Sequence, residues 1–194
     1  MTFDSVKEFT YLKGYATGAR MPNTIQALNY ARAMHSTQTR KDGSPYIIHP
    51  LTMACHAVAM GINDDVIIAA LLLHDVVEDC GVSLEQLPVD DNVKLVVNLV
   101  TKTSGYDNDK YYASISTDVR AIIVKLIDRC HNVSSMAGVF NEKKIGEYVQ
   151  ETKDYVMPLI RAAKDAHPEY SHILFILKYH IESIIDVMEK AVIK

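Results

Sequence analysis

Four ionisable side chains lie within one six-residue stretch, HDVVED. His74 and Asp75 are adjacent, and Glu78 and Asp79 follow after two valines. The preceding run, residues 66–73 (VIIAALLL), has no polar side chain, so the four groups are predicted to lie beside the hydrophobic core. Burying an uncompensated charge costs on the order of several kcal/mol. The cluster therefore needs a counter-charge, which a divalent cation would supply.

A single continuous helix over residues 65–79 would bring these four groups together. On such a helix the His-Asp pair lies one turn before the Glu-Asp pair, so all four share a face about 100° wide. Because the helix is apolar on every side before His74, it is predicted to be the central buried helix of the fold. The sequence thus predicts a polar patch at the end of a core helix.

Two further segments carry polar groups that suit the same site. YIIHP places His49 at the start of a predicted helix, where its ring can project from the helix end. LIDRCHN places Asp128 and Asn132 one turn apart, with Ser135 another turn along. Asp128 follows the mostly apolar stretch AIIVKL, so its carboxylate is also predicted near the core.

These residues form a mixed nitrogen and oxygen ligand set that suits Mn, Fe, Co or Zn and needs no thiolate. The predicted ligands are His49, His74, Asp75 and Asp128. The charge of the ion would offset the two aspartates, which then need no basic partner. Glu78 and Asp79 remain one turn away, placed to position or deprotonate a metal-bound water.

The ordinary alternative to a metal ligand is a structural histidine, because a buried His–Asp pair more often forms a simple hydrogen bond. Packing, capping or surface roles are predicted for His56, His131, His167, His172 and His180. His35 ends a helix just before a basic turn, and a ligand role is the less favoured assignment for it. The metal site is favoured because His49, Asp128 and the acidic pair accompany the His-Asp dipeptide.

Composition limits the class of protein. A chain of 194 residues that is 48% apolar and 23% charged predicts a globular domain with a sizeable core. A net charge of −4 argues against a nucleic-acid partner. The cysteines Cys55, Cys80 and Cys130 form no C-x-x-C pair and are expected to be reduced, as in a cytoplasmic protein. The longest apolar run, eight residues, is too short to span a membrane.

Helical periodicity runs through nearly the whole chain and predicts an all-α fold. The predicted organisation is an N-terminal extension over residues 1–22 and a single domain over residues 23–194. A capping box at Asn23 and Gln26 is predicted to begin one helix. Pro50 suits the first position of the next helix.

Other residues predict where helices end or bend. Gly61 is predicted to end the helix that Pro50 opens. The polar, tyrosine-rich segment at residues 104–116 is predicted to be a surface loop or short helix. Pro158 is predicted to kink or divide the helix over residues 142–166, because proline removes a helical hydrogen bond.

Four segments, taken in order, resemble a known family. RKDGSPYIIHP, AALLLHDVVED, LVTKT and VKLIDRCHN resemble the hydrolase domain of Rel/SpoT-type alarmone enzymes, within the HD superfamily of metal phosphohydrolases. The resemblance covers about residues 24–165, and its motifs H-P, H-D-x-x-E-D, T-K and D-R-x-H-N occur in the family's order. It implies an all-α, single-domain helical bundle. Because the chain leaves no room for synthetase and regulatory domains, it also implies a stand-alone small alarmone hydrolase.

The resemblance implies specific roles. Mn²⁺ would be bound by His49, His74, Asp75 and Asp128, and the acidic pair Glu78 and Asp79 would orient the attacking water. The substrate-contacting residues would be Arg40 on the purine base, Lys41 beside it, and Asn132 and Ser135 on the nucleoside. Lys102 and Arg129 are further candidates to counter the diphosphate charge, with a solvated or helix-end position as the alternative for each. The implied reaction is hydrolysis of (p)ppGpp at the ribose 3′-oxygen, which yields GDP or GTP and pyrophosphate.

The sequence departs from the family at two places where substrate contacts are expected. Ser134 stands where the family commonly has an arginine, and the segment with Tyr106, Tyr111 and Tyr112 is short and aromatic. An adenine alarmone is therefore an alternative substrate, and an HD-type nucleotidase or dNTP hydrolase is an alternative enzyme. A catalytically silent nucleotide-binding protein is a third alternative, against which the intact acidic pair argues. The helices of residues 142–190 can pack within the chain or against a second chain, and both arrangements stay open.

Overall fold

The computed structural model describes residues 4–191, and the regular structure within that range is helical. A single antiparallel bridge pairs Thr39 with Pro45. The prediction of an all-α fold is confirmed. No helix within the described range is long and apolar enough to cross a membrane.

The helices form two compact units, one ending at Tyr106 and the other beginning at Asp107. The first contains α1 (Ser5–Gly18), α2 (Pro22–Met34), α3 (Ile48–Ala59), α4 (Asp65–Leu73), α5 (Val76–Asp79) and α6 (Asp91–Val100). Helix α1 packs against α2 and α3 and buries Phe9, Leu12 and Ala16. The predicted boundary at residue 22 therefore does not coincide with the division between the two units.

Helix α4 is the centre of the first unit and packs against α2, α3 and α6. Every side chain from Ile67 to Leu73 is buried, as the apolar run predicted. The helix begins because the carboxylate of Asp64 accepts hydrogen bonds from the backbone N–H groups of Val66 and Ile67. Gly61 adopts a left-handed conformation with φ of 83° just after α3, which is where the sequence predicted that helix to end.

The predicted continuous helix over residues 65–79 is wrong, because α4 ends at Leu73 and α5 begins at Val76. The side chain of His74 explains the break. Its ring nitrogen Nδ1 donates to the carbonyl of Leu71 at 2.9 Å, which is the acceptor that Asp75 N–H would use in an unbroken helix. Asp75 has φ of −97° and ψ of −8°, which departs from the regular α-helical values of about −63° and −42°.

The predicted capping box at Asn23 and Gln26 is also wrong. Helix α2 begins at Pro22, and Asp65 of α4 supplies the acceptor for its first turn. The Asp65 carboxylate accepts from Asn23 N at 3.0 Å, Thr24 N at 2.8 Å and Thr24 Oγ1 at 2.7 Å. Proline favours the first helical position because it has no N–H to satisfy there.

Helix α3 begins at Ile48 rather than at Pro50, so His49 lies within its first turn rather than at its cap. The chain enters this helix through tight backbone bonds from Ile48 N to Pro45 O at 3.2 Å and from His49 N to Tyr46 O at 2.9 Å. Pro50 is accommodated because the first turn of a helix has no internal partner for its N–H groups.

The second unit contains α7 (Asn108–Ile115), α8 (Val119–Ser135), α9 (Glu142–Glu151), α10 (Met157–Ala166) and α11 (Ser171–Ala191). Helix α8 packs against α7, α10 and α11. A cluster of buried apolar residues joins α8, α9 and α11: Val133, Met136, Ile145, Val149 and Ile185. The π-helical turn Thr152–Val156 separates α9 from α10 just before Pro158, so the predicted interruption of this helix is confirmed.

Part of the tyrosine-rich segment forms a short helix, as predicted, but one side of that helix is buried rather than at the surface. Helix α7 begins where the Asp107 side chain accepts from Lys110 N at 3.0 Å. Tyr111 and Tyr112 are then buried on the side that packs against α8. Their hydroxyl groups gave the segment a polar composition, although the rings belong to the core of this unit.

The three cysteines are free, as the sequence predicted. Cys55 and Cys80 are half-buried and Cys130 is buried. Burial raises the pKa of Cys130 to about 11, so this thiol is inert at neutral pH.

Candidate metal centre

Three predicted metal ligands converge in the first unit. His49 Nε2 lies 3.2 Å from His74 Nε2 and 3.6 Å from Asp75 Oδ2, and His74 Nε2 lies 3.0 Å from the same oxygen. Both imidazoles are buried, with 2% and 6% of their residue surfaces exposed. His49 comes from the first turn of α3, whereas His74 and Asp75 form the turn between α4 and α5.

The hydrogen bonds around these atoms fit a cation better than a simple His–Asp pair. A carbonyl oxygen can only accept a hydrogen bond, so Nδ1 of His74 carries the proton that it donates to Leu71 O. In the neutral imidazole, Nε2 then has a lone pair and no proton. That lone pair faces an oxygen of the Asp75 carboxylate. Two electron-rich atoms this close repel each other, and a positive ion removes the repulsion. The three donors therefore fit a divalent metal.

Tyr46 belongs to this centre and was missed by the sequence analysis. Its hydroxyl donates to Asp75 Oδ2 at 2.5 Å, and it also acts to lower the pKa of the nearby Asp79 carboxyl. Burial and the charge of Asp75 raise the pKa of Tyr46, so the phenol keeps its proton. The available signal was its position three residues before His49, at the entry to a helix.

Glu78 and Asp79, the predicted catalytic pair, lie on α5 immediately after the ligand turn. Glu78 Oε2 accepts from the backbone N–H of Lys102 at 3.1 Å, which fixes one oxygen. Partial burial and then repulsion from Asp75 raise the pKa of Asp79. Burial also raises the pKa of Glu78, although the Lys102 N–H opposes the shift. Raised carboxylate pKa values make both groups stronger bases once they are ionised.

His35 is a buried structural residue beside this centre. Its Nδ1 donates to Gln38 Oε1 at 2.6 Å, and its Nε2 has no hydrogen-bond partner among the described residues. Burial lowers the pKa of His35, so the ring is neutral at physiological pH. Gln38 in turn donates from Nε2 to the backbone carbonyl of Asp79 at 3.1 Å. The turn after α2 is thereby fastened to the end of α5.

The predicted basic residues of the first unit differ in burial and in their hydrogen-bond partners. Arg40 is half-buried and Lys41 is exposed, both in a turn where Arg40 N donates to Ser44 O at 2.8 Å. Lys102 is half-buried, and its amine donates to Tyr106 OH at 2.7 Å. The backbone N–H of Lys102 contacts Glu78 of the acidic pair.

Asp128 is buried on α8 in the second unit, and it has a basic partner, contrary to the prediction. Lys125 Nζ lies 2.9 Å from Asp128 Oδ2, and Asn132 Nδ2 donates to Oδ1 at 2.6 Å. Burial lowers the pKa of Lys125, but Asp128 and Tyr111 raise it more, so its net pKa lies well above the usual range. Lys125 escaped notice because a lysine in a helix is ordinarily solvated.

Arg129 is neither solvated nor at a helix end. It is buried beside Asp128, where its Nη2 lies 2.6 Å from Glu151 Oε1 and 3.2 Å from the Tyr112 hydroxyl. Its guanidinium also lies 4.8 Å from the centre of the Tyr148 ring. Arg129 is therefore a structural cation of the second unit, and its predicted role at the diphosphate is not supported. Ser135 Oγ donates to the backbone carbonyl of His131 at 3.0 Å.

Comparison with known proteins agrees with these motifs. A protein-family model described as HD domain matches residues 27–114. A probable guanosine-3′,5′-bis(diphosphate) 3′-pyrophosphohydrolase of Synechocystis sp. is 35% identical over 147 residues, which are 69% of this chain and 19% of that protein. The guanosine-3′,5′-bis(diphosphate) 3′-pyrophosphohydrolase of Vibrio cholerae is 32% identical over 171 residues, 81% of this chain and 24% of that protein. The chain thus spans a fifth to a quarter of the length of these curated relatives.

A solved structure has a similar fold. The structure of a metazoan ortholog of SpoT, described as hydrolysing ppGpp, matches with a TM-score of 0.67 at 22% identity. The match covers 89% of this chain and 97% of that chain. At this identity the likeness establishes the fold.

Proposed function

Because this chain carries an HD domain, we propose that it is a metal-dependent phosphohydrolase that removes the 3′-pyrophosphate from guanosine alarmones. The substrates would be ppGpp and pppGpp, and the products GDP or GTP together with pyrophosphate. The observation that carries the proposal is the convergence of His49 Nε2, His74 Nε2 and Asp75 Oδ2 within 3.6 Å. The activities for which the relatives are named support the choice of substrate.

The proposed ion is Mn²⁺, and Asp128 is the proposed fourth ligand. The carboxylate of Asp128 is buried, and Lys125 and Asn132 hold its two oxygens in one orientation. Outer partners of this kind commonly orient the ligands of a metal. When bound, the ion would offset the charge of the ligands and of the substrate phosphates and would make water a stronger acid.

Glu78 and Asp79 are the proposed catalytic pair. The reaction needs a water oxygen to bond to the phosphorus attached to the ribose 3′-oxygen, after which that phosphorus–oxygen bond breaks. The acidic pair would orient the water and accept its proton, and the leaving 3′-oxygen takes up a proton in its place. The Lys102 N–H holds Glu78 in position, and the raised pKa values of both acids suit a general base.

The proposed substrate contacts are Arg40, Lys41, Lys102, Asn132 and Ser135. Arg40 can stack on a purine through its planar guanidinium, and Lys41 and Lys102 can counter phosphate charge. To reach a phosphate, the amine of Lys102 must release the Tyr106 hydroxyl. Lysine is suited to such a change, because its flexible stem and three donors accept several geometries.

A nucleotide panel tests the proposed function. The protein is purified with Mn²⁺ and incubated with ppGpp, pppGpp, ppApp, dGTP and dAMP, and pyrophosphate, phosphate and triphosphate are measured separately. We expect pyrophosphate from the two guanosine alarmones. Pyrophosphate from ppApp alone would assign an adenine alarmone, phosphate from dAMP or triphosphate from dGTP would assign another HD-type hydrolase, and binding without turnover would assign a silent binding protein.

The double variant Glu78→Gln/Asp79→Asn separates chemistry from metal binding. We expect its Mn²⁺ content to match that of the wild type, whereas turnover falls by about two orders of magnitude or more, as loss of a general base predicts. Asp91→Asn is the matched control, because Asp91 is an exposed acid of the same unit. Wild-type turnover in the double variant would contradict the proposed roles of the acidic pair.

A further inference from the structure

One phenol hydroxyl acts on both halves of the proposed centre. Tyr46 donates to Oδ2 of the proposed ligand Asp75 at 2.5 Å, and the same hydroxyl acts to lower the pKa of the nearby carboxyl of the proposed base Asp79. A phenol has one proton to donate, and an ionised carboxylate has none. The one phenol proton bonds to Asp75 in this structure, and Asp79 is the second carboxylate that it can serve.

The direction of this hydroxyl is set by contacts along the whole residue. The centre of the Tyr46 ring lies 4.8 Å from that of His35 and 6.0 Å from that of His49. The backbone N–H of Tyr46 donates to Gln38 O at 2.9 Å. Gln38 also bonds to the backbone of Asp79, so the turn that carries Tyr46 is attached to α5 at a second point.

The two carboxylates need such a donor because they repel each other. Asp75 and Asp79 are one turn apart, with Asp79 N donating to Asp75 O at 2.8 Å. Like charges at this spacing favour side-chain rotamers that move the groups apart. A hydrogen bond from a neutral donor to a charged acceptor is roughly twice as strong as one between neutral groups, so a donor that can serve both opposes that movement.

We propose that Tyr46 is a positioning residue that fixes the ligand Asp75 and the base Asp79 relative to each other. The catalytic part of this inference rests on the proposed function, whereas the part that concerns metal affinity does not depend on which nucleotide is cleaved. Tyr46→Phe is the direct test, because phenylalanine keeps the ring contacts with His35 and His49 and removes only the hydroxyl.

Metal affinity is measured first, by calorimetric titration of the metal-free protein with Mn²⁺. We expect Tyr46→Phe to raise the Kd about tenfold, since loss of an outer partner of a metal ligand typically costs 10–100-fold. Tyr155→Phe is the matched control, because it removes a phenol-to-carboxylate hydrogen bond, 2.9 Å to Asp109, at an exposed pair outside the proposed site. The control should bind Mn²⁺ like the wild type.

Turnover is then measured at saturating Mn²⁺ in a double-mutant cycle of Tyr46→Phe and Asp79→Asn. We expect Tyr46→Phe to lower kcat about tenfold while KM changes by less than about twofold, as for a residue that acts only on the transition state. In the Asp79→Asn background the same change should alter kcat by less than about twofold, since the residue it positions is already lost. A merely structural role would give equal effects in both backgrounds.

Either of two results overturns the proposal. A Mn²⁺ Kd within about twofold of wild type would show that Tyr46 does not position Asp75. Equal effects of Tyr46→Phe in the wild-type and Asp79→Asn backgrounds would show that it does not act through Asp79. If the wild type cleaves none of the nucleotides, the proposed function fails, and the titration still decides whether Tyr46 supports the metal ligand.

Discussion

At the scale of single residues, Glu78 and Asp79 combine a proposed catalytic role with a cost in stability. Their pKa values are raised, so in the metal-free protein the folded state holds protons on them at a pH where the unfolded state has released them. Stability therefore falls as pH rises from the unfolded carboxyl pKa, near 4, through the raised folded values. At any pH above the raised folded-state pKa values, both carboxylates are charged in the folded state, and these two charges lower the free energy of unfolding.

Replacing both acids should thus stabilise the metal-free protein at neutral pH. We expect Glu78→Gln/Asp79→Asn to have a higher Tm than wild type at pH 7, with the difference shrinking as the pH falls towards 4. Thermal unfolding followed by circular dichroism between pH 4 and 7 measures this.

Glu85→Gln is an informative control for that experiment. A hydrogen bond from Ser83 lowers the pKa of Glu85, so this exposed acid contributes in the opposite sense and its loss should not raise the Tm. An equal rise in Tm for both variants would indicate a general effect of net charge and would contradict the assignment to the acidic pair.

At the scale of the helices, Asp65 links two of them. It is the first residue of α4, yet its carboxylate binds the N–H groups and the buried Thr24 hydroxyl at the start of α2. Asp65→Ala removes these acceptors and leaves the buried Thr24 hydroxyl only a long bond, 3.4 Å, to the backbone carbonyl of residue 65. We expect a loss of about 2 kcal/mol in the free energy of unfolding, measured with urea.

The comparison for Asp65 is Asp91→Ala, since Asp91 is the first residue of α6 and is exposed. That change removes only a favourable interaction with the helix dipole and should cost about 0.5 kcal/mol. Equal losses in the two variants would show that the contacts of Asp65 with α2 contribute nothing beyond the dipole.

Elements built from local signals were predictable from the sequence. Gly61 and Pro158 act on their own helices, and each had the predicted effect. The wrong predictions arose where a side chain bonds to a different helix or takes a backbone carbonyl as its acceptor. The acceptor for α2 comes from Asp65, which lies 42 residues after Asn23. The break after Leu73 comes from an imidazole that takes a backbone acceptor.

The same distinction between local signals and distant partners applies to the residues of the candidate site. The proximity of His49, His74 and Asp75 could be predicted because an imidazole or carboxylate beside an apolar run needs a partner. Tyr46 and Lys125 could not, because a tyrosine in a turn and a lysine in a helix have ordinary explanations in sequence. Only their partners, Asp75 and Asp128, show what they do.

At the scale of the whole molecule, removal of the metal tests whether the second unit contributes a ligand. An ion present at about 100 times its Kd stabilises the folded state by about 2.7 kcal/mol. For a chain of this length that corresponds to a rise of roughly 5–10 °C in Tm. We expect this rise when Mn²⁺ is added to wild-type protein treated with a chelator, followed by scanning calorimetry.

Asp128→Asn should show a smaller rise with Mn²⁺, because the proposed ligand is lost. Asp165→Asn, a change of an exposed acid in the same unit, should show the full rise. Each variant is compared with its own metal-free form, so the loss of the Lys125 ion pair does not enter the comparison. An undiminished rise in Asp128→Asn would remove Asp128 from the ligand set.

The bond from His74 to Leu71 has a consequence for how this site can change in evolution. The same imidazole terminates a core helix with one nitrogen and faces the ligand cluster with the other. A replacement at this position must therefore solve a folding problem and a chemical problem together, and few side chains have two opposed polar atoms. Variation should accordingly concentrate in the turns proposed to contact the nucleotide, where substrate preference can shift while the helix end and the proposed ion site stay as they are.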